Sequence, residues 1–260
     1  MRSDSGTGQD PWNPLAFGCP LPTMESLVGT EPRAAAAVVL VREGAGGGLE
    51  VYLVRRHARS GFMGGAFVFP WGAADPGESD LRVTAARELA EECGVVVAPE
   101  ELRYLAHWIT PSVEKRRFSA VFYAAALPAG QVPAFDAQET VDEVWVTPEE
   151  GLARAAELRL PPPQIRTLGD IAEAARRGAE GLMALCEARA VAPQAILPRA
   201  CATESGLALL LPWDPDYERL GQGEALPVAA DHPLATGASR FVLDGGAWKH
   251  IDAPSSPREG

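Results

Sequence analysis

Arg87-Glu88-Leu89-Ala90-Glu91-Glu92-Cys93-Gly94-Val95 is the stretch on which the reading of this chain turns. On a helix, Glu88, Glu91 and Glu92 fall at i, i+3 and i+4, so they project from one side, one above another. Three like charges at that spacing cost helix stability. Arg87 offsets one of them at i, i+4 to Glu91, but a single arginine does not neutralise three carboxylates. Leu81, Ala85 and Leu89 line the opposite face and predict the side turned to the core. A hard divalent cation resolves the excess charge. Mg²⁺ takes oxygen ligands at about 2.0–2.1 Å, and clustered carboxylates supply part of its octahedral shell.

The flanks strengthen this reading. Ser79 or Asp80 can cap the helix and Gly94 can end it. An irregular Gly-containing loop, 71–79, precedes the helix, with Asp75-Pro76-Gly77 as turn chemistry and Glu78 near its end. A short strand, Ala66–Phe69, stopped by Pro70, feeds that loop. Taken alone, an acidic helix face is an ordinary solvated surface. Strand, phosphate-sized loop and acidic helix in succession point to a built metal site.

Outward from this unit, Ala34–Arg42 is an apolar run that predicts a buried strand, and the glycine-rich turn 43–48 joins it to Leu49–Arg55 as a hairpin. Leu102–Trp108, Phe118–Leu127 and Glu143–Val146 read as further strands, and Pro148 starts a helix to about Leu158. Beyond, Pro163–Arg176 and Ala179–Ala190 read as helices. Leu207–Leu211 and Arg240–Val242 read as strands, the latter pairing with Trp248–Ile251. The expected fold class is α+β. A loose N-terminal arm covers residues 1–33, a mixed α+β core 34–158, and a C-terminal extension of helices and short strands 159–260 packs on the core.

The chain has 260 residues, 47% hydrophobic and 22% charged, enough for a sizeable core. Its longest apolar run, Ala34–Val41, is far short of the roughly 20 residues a membrane helix needs. Residues 1–20 lack an apolar segment of secretory type, so a cytoplasmic protein without membrane partners is expected. The net charge of −12 lacks the basic footprint of a nucleic-acid binder. Cys19, Cys93, Cys186 and Cys201 show no metal-binding spacing and read as reduced thiols.

Gly72, five residues, Glu78, then Arg87 to Val95 resemble the Nudix box, G-x5-E-x7-R-E-U-x-E-E-x-G-U with U apolar. Two departures stand out. Eight residues, not seven, separate Glu78 from Arg87, which puts the role of Glu78 in question more than those of the helical glutamates. Trp71 stands where the family usually has glycine, and glycine alone tolerates positive φ and close ligand approach. The resemblance implies a Nudix-type α/β/α sandwich and a Mg²⁺- or Mn²⁺-dependent pyrophosphohydrolase. It assigns the metal to Glu88, Glu91, Glu92 and the Trp71 carbonyl, and the box framework to Gly72, Glu78, Arg87 and Gly94. A box glutamate or a loop glutamate, Glu139 first and Glu143 second, serves as base.

Phe62 to Pro70, Trp108-Ile109-Thr110-Pro111 with Arg116-Arg117-Phe118, and Leu210 to Pro215 are similar to segments of the coenzyme A diphosphatase-like branch, although Trp213 replaces a usual glycine. That branch implies a small-molecule nucleoside diphosphate derivative, such as coenzyme A or an acyl form of it. Arg116 and Arg117 would contact its phosphates. Trp71 either narrows the pocket, stacks on a substrate ring, or weakens catalysis. The competing expectations are a weakened, ligand-binding or regulatory Nudix-like module, and a homodimer joined through residues 161–260.

Overall fold

A computed structural model of the protein describes residues 30–253, except 61, 138–139 and 204–205. The N-terminal arm therefore lies outside the described residues as far as residue 29, as does Cys19.

The core is a mixed sheet. Strand β1 (Arg33–Glu43) is its axis. Along one edge β1 runs parallel to β6 (Phe118–Ala126), with Ala36 beside Val121 and Val39 beside Ala124. Along the other edge it pairs antiparallel with two strands in turn. Residues 41–43 meet β2 (Leu49–Arg56), and residues 35–37 meet β4 (Trp71–Ala73). The β1–β2 hairpin turns at a glycine-rich loop, where the Gly44 N–H donates to the Gly48 carbonyl and Gly47 adopts φ 77°. β2 also pairs with β3 (Phe67–Val68) and β7 (Thr140–Val146), and β6 with β5 (Arg103–Ile109). The chain thus leaves β2 through β3, turns at Phe69-Pro70, and pairs with β1 as β4. This step delivers Trp71 and Gly72 to the middle of the sheet.

Alternation along β1 buries both faces. Ala36, Val38 and Leu40 join Tyr52, Leu89 and Cys93 on one side. Ala37, Val39 and Val41 join Leu53, Phe69, Leu168 and Ile171 on the other. Leu40, Leu53 and Leu89 are fully buried. Each such side chain contributes about 1.5–3 kcal/mol. Helix α1 (Leu81–Cys93) covers the first face, α2 (Pro148–Ala153) and α3 (Pro162–Ala175) the second.

The chain beyond residue 158 adds α4 (Ala179–Val191), a short strand β8 (Ala195–Ile196) parallel to β5, and a second antiparallel sheet. That sheet holds β9 (Arg199–Thr203), β10 (Gly206–Leu210), β11 (Arg240–Asp244) and β12 (Ala247–Ile251), with the four-residue α5 (Tyr217–Leu220) between β10 and β11. Leu209 and Phe241 enter the same apolar cluster as Val39 and Phe122. Buried Arg189 ties α4 to its neighbours, donating to the Leu105 carbonyl at 3.1 Å and to Asp170 at 2.7 Å.

Three local expectations change. The segment after Pro70 begins as strand β4, because the Trp71–Ala73 backbone completes the ladder on β1. Strand β7 starts at Thr140, earlier than Glu143, since its partner β2 extends to Arg56. Helix α2 ends at Ala153, and single turns then carry the chain to Arg159, which has φ 50°. Cys93, Cys186 and Cys201 are free and buried. Among the described residues no helix is long and apolar enough to cross a membrane.

Candidate active site

Helix α1 begins where Asp80 accepts a hydrogen bond from the Arg82 N–H, and ends at Gly94 with φ 66° and a bond to the Ala90 carbonyl. These caps set the rotation of the helix, which places its three glutamates in three environments. Glu91 is exposed, with 60% of its side chain accessible. Glu88 is mostly covered and Glu92 is buried. The i, i+3, i+4 face is thus graded from solvent to sheet.

Glu92 survives burial because both of its oxygens face positive groups. The Trp71 N–H donates to one at 2.9 Å, and the Arg56 guanidinium stands 3.9 Å from the other. Glu88 lies over the backbone of Gly72. A Cβ at that position would sit 2.0 Å from the Glu88 carboxyl carbon, so only glycine leaves room for the carboxylate. Glycine at 72 thus gives the Glu88 carboxylate its seat, and a larger residue there would displace that side chain. Trp71 sits in ordinary strand backbone; among the described non-glycine residues, only Met63 and Arg159 have positive φ. The glycine-to-tryptophan replacement carries no backbone strain.

Arg87 organises the loop. Its Nε donates to Glu78 at 3.0 Å, one terminal nitrogen reaches Glu78 and the Ala73 carbonyl at 3.2 Å each, and the other reaches Glu88 at 2.7 Å and Glu91 at 3.0 Å. Glu78 also accepts from Thr84 at 2.8 Å and from the Asp75 N–H at 2.9 Å. The hydrogen bond from Arg87 leads the causes that hold its carboxyl well down, at about 2. In turn the Glu78 bond raises the Arg87 guanidinium above its usual value. The additional residue before the helix leaves this pairing intact.

The aromatic ring of Trp71 belongs to an aromatic cluster. It packs edge-on to Phe62 at 5.7 Å and to Phe118 at 4.9 Å, with the Arg56 guanidinium 5.2 Å from its centroid. These rings form one wall of a cavity of about 520 Å³. One residue therefore joins the two halves of the site: its backbone N–H holds Glu92 and its ring faces the cavity. Arg56 escapes a reading by motif, since in sequence it is one of two arginines at a strand end. The alternation of β2 carried the only available signal.

The remaining candidates separate. Expected as a phosphate ligand, Arg117 is instead buried, and donates to the carbonyls of Thr110 and Thr30 at 3.0 and 3.1 Å and to Glu224 at 3.1 Å. It ties the loop before β6 to the segment entering β1. Arg116 is exposed. Glu139 lies outside the described residues. One oxygen of Glu143 accepts from the Phe135 N–H at 3.0 Å and from the Tyr52 hydroxyl. Tyr52 is fully buried, and burial raises its phenol far above the ordinary range. Glu143 thus anchors the layer beneath α1.

The donors suit a divalent ion. Glu88 and Glu91 share one cationic nitrogen of Arg87, so two carboxylates already converge on a single positive centre. All the donors are hard oxygens, as Mg²⁺ and Mn²⁺ prefer. Among the described residues no three His, Cys, Asp or Glu side chains converge as a ready-made ligand set, because Glu92 is turned to Trp71 and Arg56.

The chain matches the NUDIX domain over residues 31–167, just over half of its length. It belongs to the Nudix family. Membership makes it a pyrophosphohydrolase, of a class that splits nucleoside diphosphate derivatives and typically uses divalent metal ions. Similar solved structures include a Nudix hydrolase from Alicyclobacillus acidocaldarius, 26% identical, covering 54% of this chain and 91% of that one, with a TM-score of 0.48. The Nudix domain of Shewanella oneidensis NrtR complexed with ADP ribose is 21% identical over 55% of this chain and 88% of that one, with a TM-score of 0.45. A C. elegans Ap4A hydrolase is 20% identical over 54% of this chain and 98% of that one, with a TM-score of 0.42. No curated protein matches the chain.

Proposed function

We propose that this Nudix protein hydrolyses the diphosphate of a coenzyme A-type substrate, free or acylated, with Mg²⁺ or Mn²⁺ held by Glu88, Glu91, Glu92 and the Trp71 carbonyl. The observation that carries the metal assignment is the seat of the Glu88 carboxylate against Gly72, beside Glu92 held on the Trp71 N–H. When bound, the ion supplies positive charge against the phosphate oxygens and acidifies a water molecule. The chain's own groups do the rest. Gly72 admits Glu88 to the backbone, Trp71 and Arg56 hold the Glu92 carboxyl in place, and Arg87 fixes the loop that carries both glycine and carboxylate. Arg116 is exposed and is available to the phosphates. Glu139 is the candidate base for the attacking water.

Coenzyme A is favoured over compact nucleotides by the cavity next to Trp71. Its apolar walls suit a long aliphatic arm better than a second nucleoside. A panel of coenzyme A, acetyl-coenzyme A, NADH, ADP ribose, diadenosine polyphosphates and nucleoside triphosphates, each with Mg²⁺ and with Mn²⁺, tests this by product mass. The expected outcome is splitting of the coenzyme A substrates by one water into adenosine 3′,5′-bisphosphate and 4′-phosphopantetheine (or its acyl form), and its loss in Glu92→Gln. An unchanged rate in Glu92→Gln would sink the metal assignment, and preference for ADP ribose would sink the substrate.

A further inference from the structure

The loop between β5 and β6 is closed at its base and held at its tip. The Thr110 N–H donates to the Phe118 carbonyl at 2.9 Å, and the Glu114 N–H to the Pro111 carbonyl at 3.1 Å. On one side of Glu114 the Ser112 hydroxyl accepts from the Glu224 N–H at 3.0 Å. On the other the Lys115 carbonyl accepts from the Thr30 hydroxyl at 3.0 Å. Glu114 is thus presented by backbone that is tied down before and after it.

Glu114 lines the same cavity as Trp71, about 520 Å³ in volume. The walls come from both sheets, Trp71 and Trp108 from the first, Leu243 and Trp248 from the second. Among the described residues that line it, Glu114 alone carries a charge. The residue is exposed, so it stands where the cavity meets solvent. Its carboxyl nevertheless has protein around it, and burial alone raises its pKa above the ordinary value. Walls on several sides and one open side describe a mouth.

Nothing in the fold engages this carboxylate. Lys115 and Arg116 follow it in the chain, yet among the described residues Glu114 makes no ion pair and no side-chain hydrogen bond. Other sheltered acids are engaged: Glu78 by Arg87, Asp170 by Arg166 and Arg189, Asp214 by Arg240. The Glu114 carboxylate ties nothing down, and its place leaves it one thing to act on, the end of a chain lying in the cavity.

We propose that Glu114 is a charge filter: the cavity accepts an aliphatic chain whose end at the mouth is neutral or cationic, and refuses one that ends in a carboxylate. Alkyl groups fill the apolar interior and leave their polar end at the mouth. There an ammonium meets an unpaired carboxylate, whereas a second carboxylate meets its own charge. Deeper in, a carboxylate would lose its water without gaining a partner. The inference rests on the coenzyme A-type reading only for what carries the chain. Among acyl forms of such a substrate it selects neutral and amine-bearing groups over dicarboxylic ones.

Octylamine, 1-octanol and octanoate are the probes, alike in chain and different in charge at neutral pH. Calorimetry on the metal-free full chain is expected to rank them in that order, with about tenfold or more between the amine and octanoate. Glu114→Gln should bring those two within about threefold, and Glu114→Lys should reverse their order. Leu243→Trp, which fills the cavity, should abolish binding of all three. If Leu243→Trp does not fold, displacement of octylamine by octanol from the wild type assigns both to one cavity. Equal binding of amine and octanoate by the wild type overturns the filter. So does an order unchanged in Glu114→Gln, amine binding that survives in a folded Leu243→Trp, or no binding of any probe. Assaying pentanoyl-coenzyme A with Mg²⁺ beside the titration separates the two ideas. Its turnover without the charge order overturns the filter alone, and the charge order without turnover of any diphosphate overturns the hydrolase reading alone.

Discussion

Arg87 donates from Nε to Glu78 at 3.0 Å across eight intervening residues, and the same guanidinium reaches Glu88 and Glu91 from its far side. One side chain therefore couples the loop to the helix. Its charge is spent on holding three carboxylates in place, and any change that removes one partner is felt by the others.

Acid should expose this coupling. The Glu78 carboxyl sits at about 2 in the folded protein, against an ordinary value of 4.5, with the Arg87 bond as the first cause. A depressed carboxyl stabilises the fold above its unfolded pKa, and that stability is lost as pH falls towards the folded pKa. The window is thus pH 4.5 down to 2. Urea midpoints measured from about pH 6 to 2.5 should fall steeply in the wild type and less steeply in Glu78→Gln, which starts lower. Parallel curves would show that Glu78 contributes nothing through its charge.

Gly72→Ala isolates the seat of Glu88. The backbone there accepts alanine, but the added carbon would stand 2.0 Å from the carboxyl carbon of Glu88. The side chain must move while the fold persists. Mn²⁺ affinity, read by electron paramagnetic resonance, should drop about 10- to 100-fold, the range for losing the support of a metal ligand. The melting temperature should shift by no more than a few degrees. Unaltered Mn²⁺ affinity would remove Glu88 from the ligand set.

Much of this was legible in the sequence. The acidic i, i+3, i+4 pattern, the Asp80 and Gly94 caps and the β1–β2 hairpin all follow from short-range periodicity and turn chemistry. What was not legible depends on partners far along the chain. Strand β4 exists because β1 offers an open ladder edge at Ala35–Ala37. The task of Arg117 is set by Glu224, more than a hundred residues away. Arg56 gains its place only when β2 and β4 come together. Neighbouring arginines look alike in sequence, and folding alone divides a buried tie such as Arg117 from an exposed charge such as Arg116.

Trp71→Gly tests whether the usual glycine would improve the site. The substitution removes a ring packed on Phe62, Phe118 and the Arg56 guanidinium. Its cost should be about 3 kcal/mol, as for truncating a large aromatic, measured by urea denaturation. KM should rise because the cavity wall is lost, and kcat should not increase, since Trp71 imposes no strained φ. A higher kcat in Trp71→Gly would mean that the ring obstructs catalysis.

The two arginines before β6 should part company when each is replaced by glutamine. Arg117 is buried and satisfies two backbone carbonyls as well as Glu224. Arg117→Gln leaves those carbonyls short of donors and should cost about 2–4 kcal/mol, the range for breaking a buried charged network. The folded fraction should keep its KM within about twofold, because no step of phosphate binding passes through a guanidinium already committed on three sides. Arg116 is exposed, so Arg116→Gln should change stability by less than about 0.5 kcal/mol. Its readout is KM: loss of a charge-assisted contact to phosphate should raise it about tenfold, more at low salt than at high. Thermal melts and steady-state kinetics on both variants decide the matter. A stable Arg117→Gln with a raised KM would reverse the two assignments.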